Sequence, residues 1–429
     1  MKLDSIENIA EKKLLKLFSR PAIDTEKILK IVKLIVEDVK RNGLKAALKY
    51  SKQFDGFDEG KVIVTKKEFE RAEKFLDGDS KKAMLAAAKN IEKFHSKQYP
   101  SGYEIETMPG IKCSREYRPI ENVGLYVPGG TAVLPSTLLM LGIPAYLAGC
   151  KRVAAISPTK DKINNAVLYA AKICGVEEFY KIGGAQGIAL MAYGDKSLKK
   201  VDKIFGPGNQ YVTAAKSLVS IDPKGCAIDM PAGPSEVLII ADDTANPVYV
   251  AADLLSQAEH GKDSQVILLT TSKKLAAVVQ NEIKRQTKYL TRGDFIKGAL
   301  VNSLILLVDS VEQAIEQSNS YAPEHLILNV ERAERYKKKI TNAGSVFLGS
   351  YSAESIGDYA SGTNHSLPTY GYARSFGGIS VESFMKTITF QRVNKRGLQN
   401  IASTVVRMAV IEKLDAHANA INVRLKNEN

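Results

Sequence analysis

Residues 122–150 read NVGLYVPGGTAVLPSTLLMLGIPAYLAGC and contain no charged side chain. A run of that length raises the question of a membrane span. Pro128, Gly129, Gly130, Pro135, Gly142 and Pro144 answer it, because they would repeatedly break one continuous helix. The stretch reads instead as a buried strand, a glycine turn and a short core helix of a soluble protein.

Downstream of this stretch, short apolar runs alternate with helical segments. Strands are expected at 124–127, 153–157, 178–182 and 203–205, and in a second series at 237–241, 265–270, 303–308, 326–330 and 345–348. Helices such as 165–174, 248–259, 273–285 and 311–318 lie between them. The alternation argues for parallel sheets covered by helices on both faces. Two such series, joined near Pro231 to Ser235, predict two α/β domains of similar build. Upstream, Ile28, Ile31, Val32, Leu34 and Ile35 recur at helical spacing, as do Met84, Leu85 and Ala88, so the first hundred residues or so read as helices. A last helix is expected at 397–414, after a loop-rich stretch at 357–378.

The 429 residues, 45% hydrophobic and 25% charged, are enough for more than one core and exclude a disordered or fibrous chain. The net charge of +13 is scattered, with clusters such as Lys12-Lys13 and Lys337-Lys338-Lys339 beside acids. A nucleic-acid binder would gather that charge on one stripe, so no nucleic-acid partner is expected. Cys113, Cys150, Cys174 and Cys226 form no CxxC pair and read as the reduced thiols of a cytoplasmic protein. The first twenty residues lack an apolar core and are not a signal peptide.

No complete GxGxxG fingerprint is present. Gly206-Pro207-Gly208-Asn209-Gln210-Tyr211 begins like one but lacks the last glycine. Glycine pairs follow three strands, at Gly129-Gly130, Gly183-Gly184 and Gly206/Gly208, where loops line a ligand crevice in open α/β sheets. Tight turns alone would explain each of them equally well.

The five histidines are His95, His260, His325, His365 and His417. Gln257 and His260 share a face of a helix end, as a metal half-site or a solvated terminus would. Glu324-His325 follows Pro323, and the two side chains reach one site only from the turn that Pro323 fixes. There they would make an acid/base pair; an exposed Glu beside a buried capping His is the alternative. Asp358 and His365 sit in loop text, able to complete a metal site or to make an Asx-turn. Glu412 and His417 would point about 140° apart on one continuous helix, so a shared ligand requires the helix to end between them or each to reach it from a different side; a surface histidine is the alternative. His95 has no chemical company.

Together, Gly124-Leu125-Tyr126-Val127-Pro128-Gly129-Gly130, Gly206-Pro207-Gly208-Asn209, Gly233-Pro234-Ser235-Glu236, the segment 256–261, Ala322-Pro323-Glu324-His325 and the segment 357–365 resemble the L-histidinol dehydrogenase family. The resemblance runs in one order from about Arg115 to His417. It implies NAD-dependent, four-electron oxidation of L-histidinol through histidinal to L-histidine, at the end of histidine biosynthesis. It implies one Zn2+ per subunit, held by Gln257, His260, Asp358 and His417, with substrate nitrogens joining the coordination. Glu324 and His325 would be the catalytic acid/base residues. Ser235, His365 and Glu412 would contact substrate, along with the zinc ligands and His325. Tyr126, Gln186 and Asn209 would touch NAD.

The resemblance further implies a homodimer in which the C-terminal segment crosses over, bringing Glu412 and His417 from the partner. The expected fold is α/β, with two incomplete Rossmann-like parallel-sheet domains and helical appendages at both termini. Its divisions would be a helical extension 1–20, a larger domain 21–125 plus 237–377 carrying zinc and the catalytic residues, a second domain 126–236 on the NAD side, and a crossover segment 378–429. The sequence departs from the commoner family wording at Gly187, where a bulkier Ala is usual, and at Tyr370-Gly371-Tyr372, which replaces a more glycine-rich run. Three other readings fit parts of the pattern: oxidation of a sulfonated diol, a zinc hydrolase, and a basic binding protein.

Overall fold

The structure is a computed structural model describing residues 1–5, 17–21, 24–57, 61–129, 133–231 and 233–426. In it the charge-free stretch forms the strand Asn122–Tyr126 and the helix Pro135–Ala148. Pro135 opens that helix, where its missing N–H costs nothing, and Gly149 at φ 84° closes it. The helix is apolar all round because nearly every side of it is buried. Gly130, in the expected turn, lies outside the described residues. No described helix is long and apolar enough to cross a membrane.

Strands numbered along the chain are β1 (Lys2–Ser5), β2 (Tyr103–Met108), β3 (Ile111–Pro119), β4 (Asn122–Tyr126), β5 (Arg152–Ile156), β6 (Glu178–Tyr180), β7 (Lys203–Phe205) and β8 (Ala227–Ile228). They continue as β9 (Glu236–Ala241), β10 (Gln265–Thr270), β11 (Leu304–Leu307), β12 (His325–Asn329), β13 (Ser345–Leu348) and β14 (Met385–Val393). One sheet has the order β6-β5-β4-β7-β8 and another the order β1-β11-β10-β9-β12-β13, and every pair in both is parallel. Counted from its own first strand, each sheet runs 3-2-1-4-5, the doubly wound order, with β1 added outside β11 in the larger.

Both faces of both sheets are covered, which explains the unbroken apolar text of the strands. Along β9, Val237 and Ile239 enter one core with Leu254 and Val279, while Leu238 and Ile240 enter another with Leu306 and Ala314. In the smaller sheet Leu125 and Phe205 face one side, and Ile156 and Ile204 the other. Cys150, Cys174 and Cys226 are free thiols that burial pushes up to about 12.

Two features differ from expectation. Most of the N-terminal extension, residues 6–16, lies outside the described residues, and Lys2–Ser5 is a sheet-edge strand rather than helix. A third, antiparallel sheet, β14-β3-β2, was not legible, because its strands carry charged residues on a largely solvated surface. From β14 the chain runs into the helices Lys395–Ile411 and Asp415–Lys426, which pack on each other. Asn394 starts this hairpin, its Oδ1 accepting from the Gly397 N–H at 2.9 Å.

The segment leading to β14 is anchored by Phe384, whose ring stacks on Phe205 with centroids 3.9 Å apart, both fully buried. Phe384→Ala is expected to lower the unfolding free energy by about 3–5 kcal/mol, read by urea denaturation.

Candidate active site

A cavity of about 860 Å³ opens where the two parallel sheets face each other. The smaller sheet presents the carboxyl ends of β4 and β7, its topological switch point, through Pro128, Pro207, Gly208 and Asn209. The larger sheet presents the amino ends of β9 and β12, through Ser235, Glu324 and His325.

Glu324 and His325 owe their placement to a sharp helix stop. The helix Val311–Tyr321 ends at Ala322, held at φ 55°, and Pro323 forbids its continuation. The Gly344 and Ser345 N–H groups then donate to the carbonyls of Pro323 and Glu324, each at 2.9 Å, so the turn is fixed by sheet bonding. Both side chains therefore reach one site. A Glu324 carboxylate oxygen accepts from the Glu236 N–H at 2.8 Å. The His325 Nδ1–H donates to the Glu236 carbonyl at 3.2 Å, with Glu324 Oε2 3.6 Å away. On the other side of the ring Nε2 faces Asp358 Oδ1, 3.4 Å distant. Burial alone would lower the His325 pKa, but the charge of Glu324 and bonds to Asp358 and Glu324 raise it well above 6.5.

Gln257 ends the helix Pro247–Ala258 and His260 lies just past it; both line the cavity with Asp358 and His365. The Gln257 Nε2–H donates to Glu354, and the Ser256 hydroxyl donates to the other Glu354 oxygen at 2.7 Å. The Gln257 amide oxygen is buried and has no hydrogen-bond partner among the described residues, and His325 Nε2 is buried facing Asp358 Oδ1. Asp358 sits on the short helix Glu354–Tyr359 rather than in open loop. Burial works to raise its pKa, yet bonding to His325 and the imidazole charge hold it below the usual carboxylate range. His325, Glu354 and Asp358 each bring a candidate ligand atom within 4.8 Å of the others. The His365 Nδ1–H donates to the Asp358 carbonyl at 2.8 Å, and burial lowers its pKa.

Other expected site residues are dispersed. Asn209 lines the cavity, but its Oδ1 is occupied in capping the helix Gln210–Ile221. Tyr126 and Gln186 are buried outside the cavity lining: the Tyr126 hydroxyl accepts from the Gly184 N–H at 3.4 Å, and Gln186 Nε2–H donates to Asp55 at 3.1 Å. Burial raises Asp55 to about 6 against that bond. Glu412 and His417 are exposed and absent from the cavity of their own chain. The helix does end between them, since Glu412 is its C-cap and Lys413 has φ 57°. His95 is a structural group: its Nδ1–H donates to the Ile91 carbonyl at 2.8 Å and Asn364 donates to its Nε2 at 3.3 Å.

Sequence reasoning missed Arg20, Glu236 and Glu354. Arg20 pairs with the buried Glu236, donates to its second oxygen at 2.9 Å, and lies 3.9 Å from the centre of the Tyr321 ring. An acid buried at the start of a strand was the available signal for Glu236. The two departures from family wording have structural places. A methyl at Gly187 would come within 2.8 Å of the Ile156 side chain, and Tyr370 lines the cavity while donating its N–H to Glu236 at 3.0 Å.

Two doubly wound sheets around a cavity with a buried carboxylate–imidazole pair define an α/β enzyme. The histidinol dehydrogenase family model matches residues 18–425. The chain is 49% identical to histidinol dehydrogenase of Vibrio parahaemolyticus over 421 residues, 98% of this chain and 97% of that one. It is 50% identical to that of Bacteroides fragilis over 412 residues, 96% of each. The crystal structure of histidinol dehydrogenase from Elizabethkingia anophelis superposes with a TM-score of 0.94 at 50% identity, covering 100% of this chain and 98% of that one. The chain belongs to the histidinol dehydrogenase family and is an oxidoreductase. A zinc hydrolase and a basic binding protein are thereby set aside.

Proposed function

We propose that the chain oxidises L-histidinol to L-histidine in two successive NAD-dependent steps, as a zinc-containing homodimer of the cytoplasm. One observation carries the reading: Glu324 and His325 meet at a cavity also lined by Gln257, His260 and Asp358. The donor set suits zinc, because Gln257 offers a buried unpartnered oxygen, Asp358 a carboxylate and His260 an imidazole. The fourth ligand would be His417 of the partner subunit. Zinc, when bound, would orient the substrate, and NAD would accept the two hydrides.

The chain's own residues supply the proton transfers. His325 Nε2 takes the hydroxyl proton of the alcohol as hydride leaves its carbon, while Glu236 holds the ring through Nδ1. Glu324 takes a proton from the water that adds to the aldehyde, and the hydrate undergoes the second oxidation. Ser235, His365 and the partner's Glu412 contact the polar substrate. Tyr126, Gln186 and Asn209 are assigned to the nucleotide, Asn209 from the cavity lining and the other two from buried positions outside it. We assign 237–377 to the zinc-bearing side and 378–429 to the crossover segment; the nucleotide side takes 126–236 together with the rest of β4 and the helix Thr25–Asp55, which share its sheet and its core rather than those of the larger sheet. Support for a crossover comes from β14, exposed at every position but Met385, and from Met408, Val410, Ile411 and Leu414 exposed on the hairpin.

The direct test supplies zinc-loaded protein with L-histidinol and NAD, beside a sulfonated diol as competitor. Two equivalents of reduced cofactor per histidinol, abolished by chelation, are expected; one equivalent, or preference for the diol, would overturn the assignment. A raised His325 pKa means that its neutral, proton-accepting form accumulates only as pH rises through that value. Accordingly kcat/KM should climb into the alkaline range, and His325→Asn should remove this limb and cost about 10²–10⁴ in kcat. A loss below about tenfold, ~1.4 kcal/mol, refutes the base assignment. Finally, mixing inactive His325→Asn and His417→Asn subunits should regain activity, since one site of the mixed dimer would have both histidines; no recovery from exchanged subunits would exclude the shared site.

A further inference from the structure

We propose that the buried ion pair of Lys216 and Asp229 sets nucleotide affinity by clamping Gly206, the pivot of the loop that carries Asn209. This rests on the NAD dependence proposed above. Gly206 follows β7 with φ 119°, and a Cβ there would collide with the carbonyl oxygen of Tyr126 at the end of β4. The loop thus crosses the switch point in direct contact with another strand's backbone. No side chain can hold it at that position, so its peptide groups must be held instead.

Both are. The Gly206 N–H donates to Asp229 Oδ2 at 2.8 Å, and the Gly206 carbonyl accepts from Lys216 Nζ at 2.9 Å. Lys216 and Asp229 are also paired directly, with side chains 5% and 3% exposed. Asp229 Oδ1 accepts in addition from the Met230 N–H at 2.7 Å. Lys216 belongs to the helix Gln210–Ile221 that Asn209 caps, so a closed ring runs from Gly206 through the loop and helix and back through the ammonium.

A fully buried ion pair adds little net stability over a packed apolar pair, so what it contributes is geometry. Neither Lys216 nor Asp229 lines the cavity, whereas Pro207, Gly208 and Asn209 do. The pair is therefore a positioning device. It acts on the nucleotide through the loop and has no contact with the acid/base residues across the cavity. Lys203 lies close enough to feel the charges of Asp229 and Lys216 but makes no hydrogen bond to Gly206, donating to the Ser383 carbonyl at 2.9 Å.

The test uses the zinc-loaded full-length enzyme with Lys216→Met, with Lys216→Arg, which keeps the charge but displaces it, and with the double variant Lys216→Met/Asp229→Asn, which leaves no unpaired buried charge. NAD Kd is read by calorimetry, and hydrogen exchange by mass spectrometry over residues 205–212. The Kd and KM for NAD should rise about tenfold or more, with kcat at saturating NAD and the KM for histidinol within about twofold, and exchange over the loop should quicken. A merely structural pair would lower thermal stability and leave NAD affinity alone. Unchanged NAD affinity in the folded variants overturns the clamp only. Failure of the unsubstituted enzyme to bind NAD overturns the functional reading, and the clamp's role with it.

Discussion

A carboxylate buried at the start of a central strand must be neutralised where it stands, and the site is organised around the one at Glu236. Its side chain is 1% exposed as a residue and takes the Arg20 guanidinium from the N-terminal segment and the Tyr370 N–H from the opposite loop. Burial nonetheless leaves its pKa raised. Its backbone does as much as its side chain. The N–H orients Glu324 and the carbonyl orients His325, so one residue sets both partners of the acid/base pair. Removing any spoke would leave a desolvated charge in the middle of the machinery.

The two parallel sheets share a strand order and use it differently. The smaller offers its carboxyl edge, the usual ligand edge of a doubly wound sheet, and the larger offers its amino edge to the same cavity. Acid/base groups at the amino edge sit at strand starts rather than on mobile loops. Sheet bonding across Pro323 and Glu324 then holds them to the precision that proton transfer needs.

Much of this was legible in the sequence. Short apolar runs rich in Val, Ile and Leu and alternating with helical segments located the central strands of both parallel sheets, because burial on both faces makes such strands apolar throughout. The antiparallel sheet escaped because β2 and β14 are exposed almost throughout, and their text, YEIETM and MKTITFQRV, mixes charged residues with short apolar alternations outside the buried runs. Glu324, His325, Gln257, His260, Asp358 and His365, which the motifs singled out, all line one cavity. Arg20, Glu236 and Glu354 act through burial and pairing, and no spacing in a linear string reports which acid will be buried. Glu412 and His417 lie on an exposed hairpin, where their meaning depends on a neighbouring subunit that one chain does not contain. Tyr126 and Gln186 are buried outside the cavity lining, and burial of this kind is not written in a linear motif.

The cysteines bear on the surroundings in which such a protein works. With Cys150, Cys174 and Cys226 pushed up to about 12, the reactive sulfur anion at neutral pH amounts to roughly one part in 10⁵ of each. None of the cysteines lines the cavity. Mild oxidants and alkylating agents would therefore find little to attack at these three positions, and the cavity lining has no thiol to lose. Sulfur chemistry at these three positions is thereby kept apart from the chemistry of the cavity.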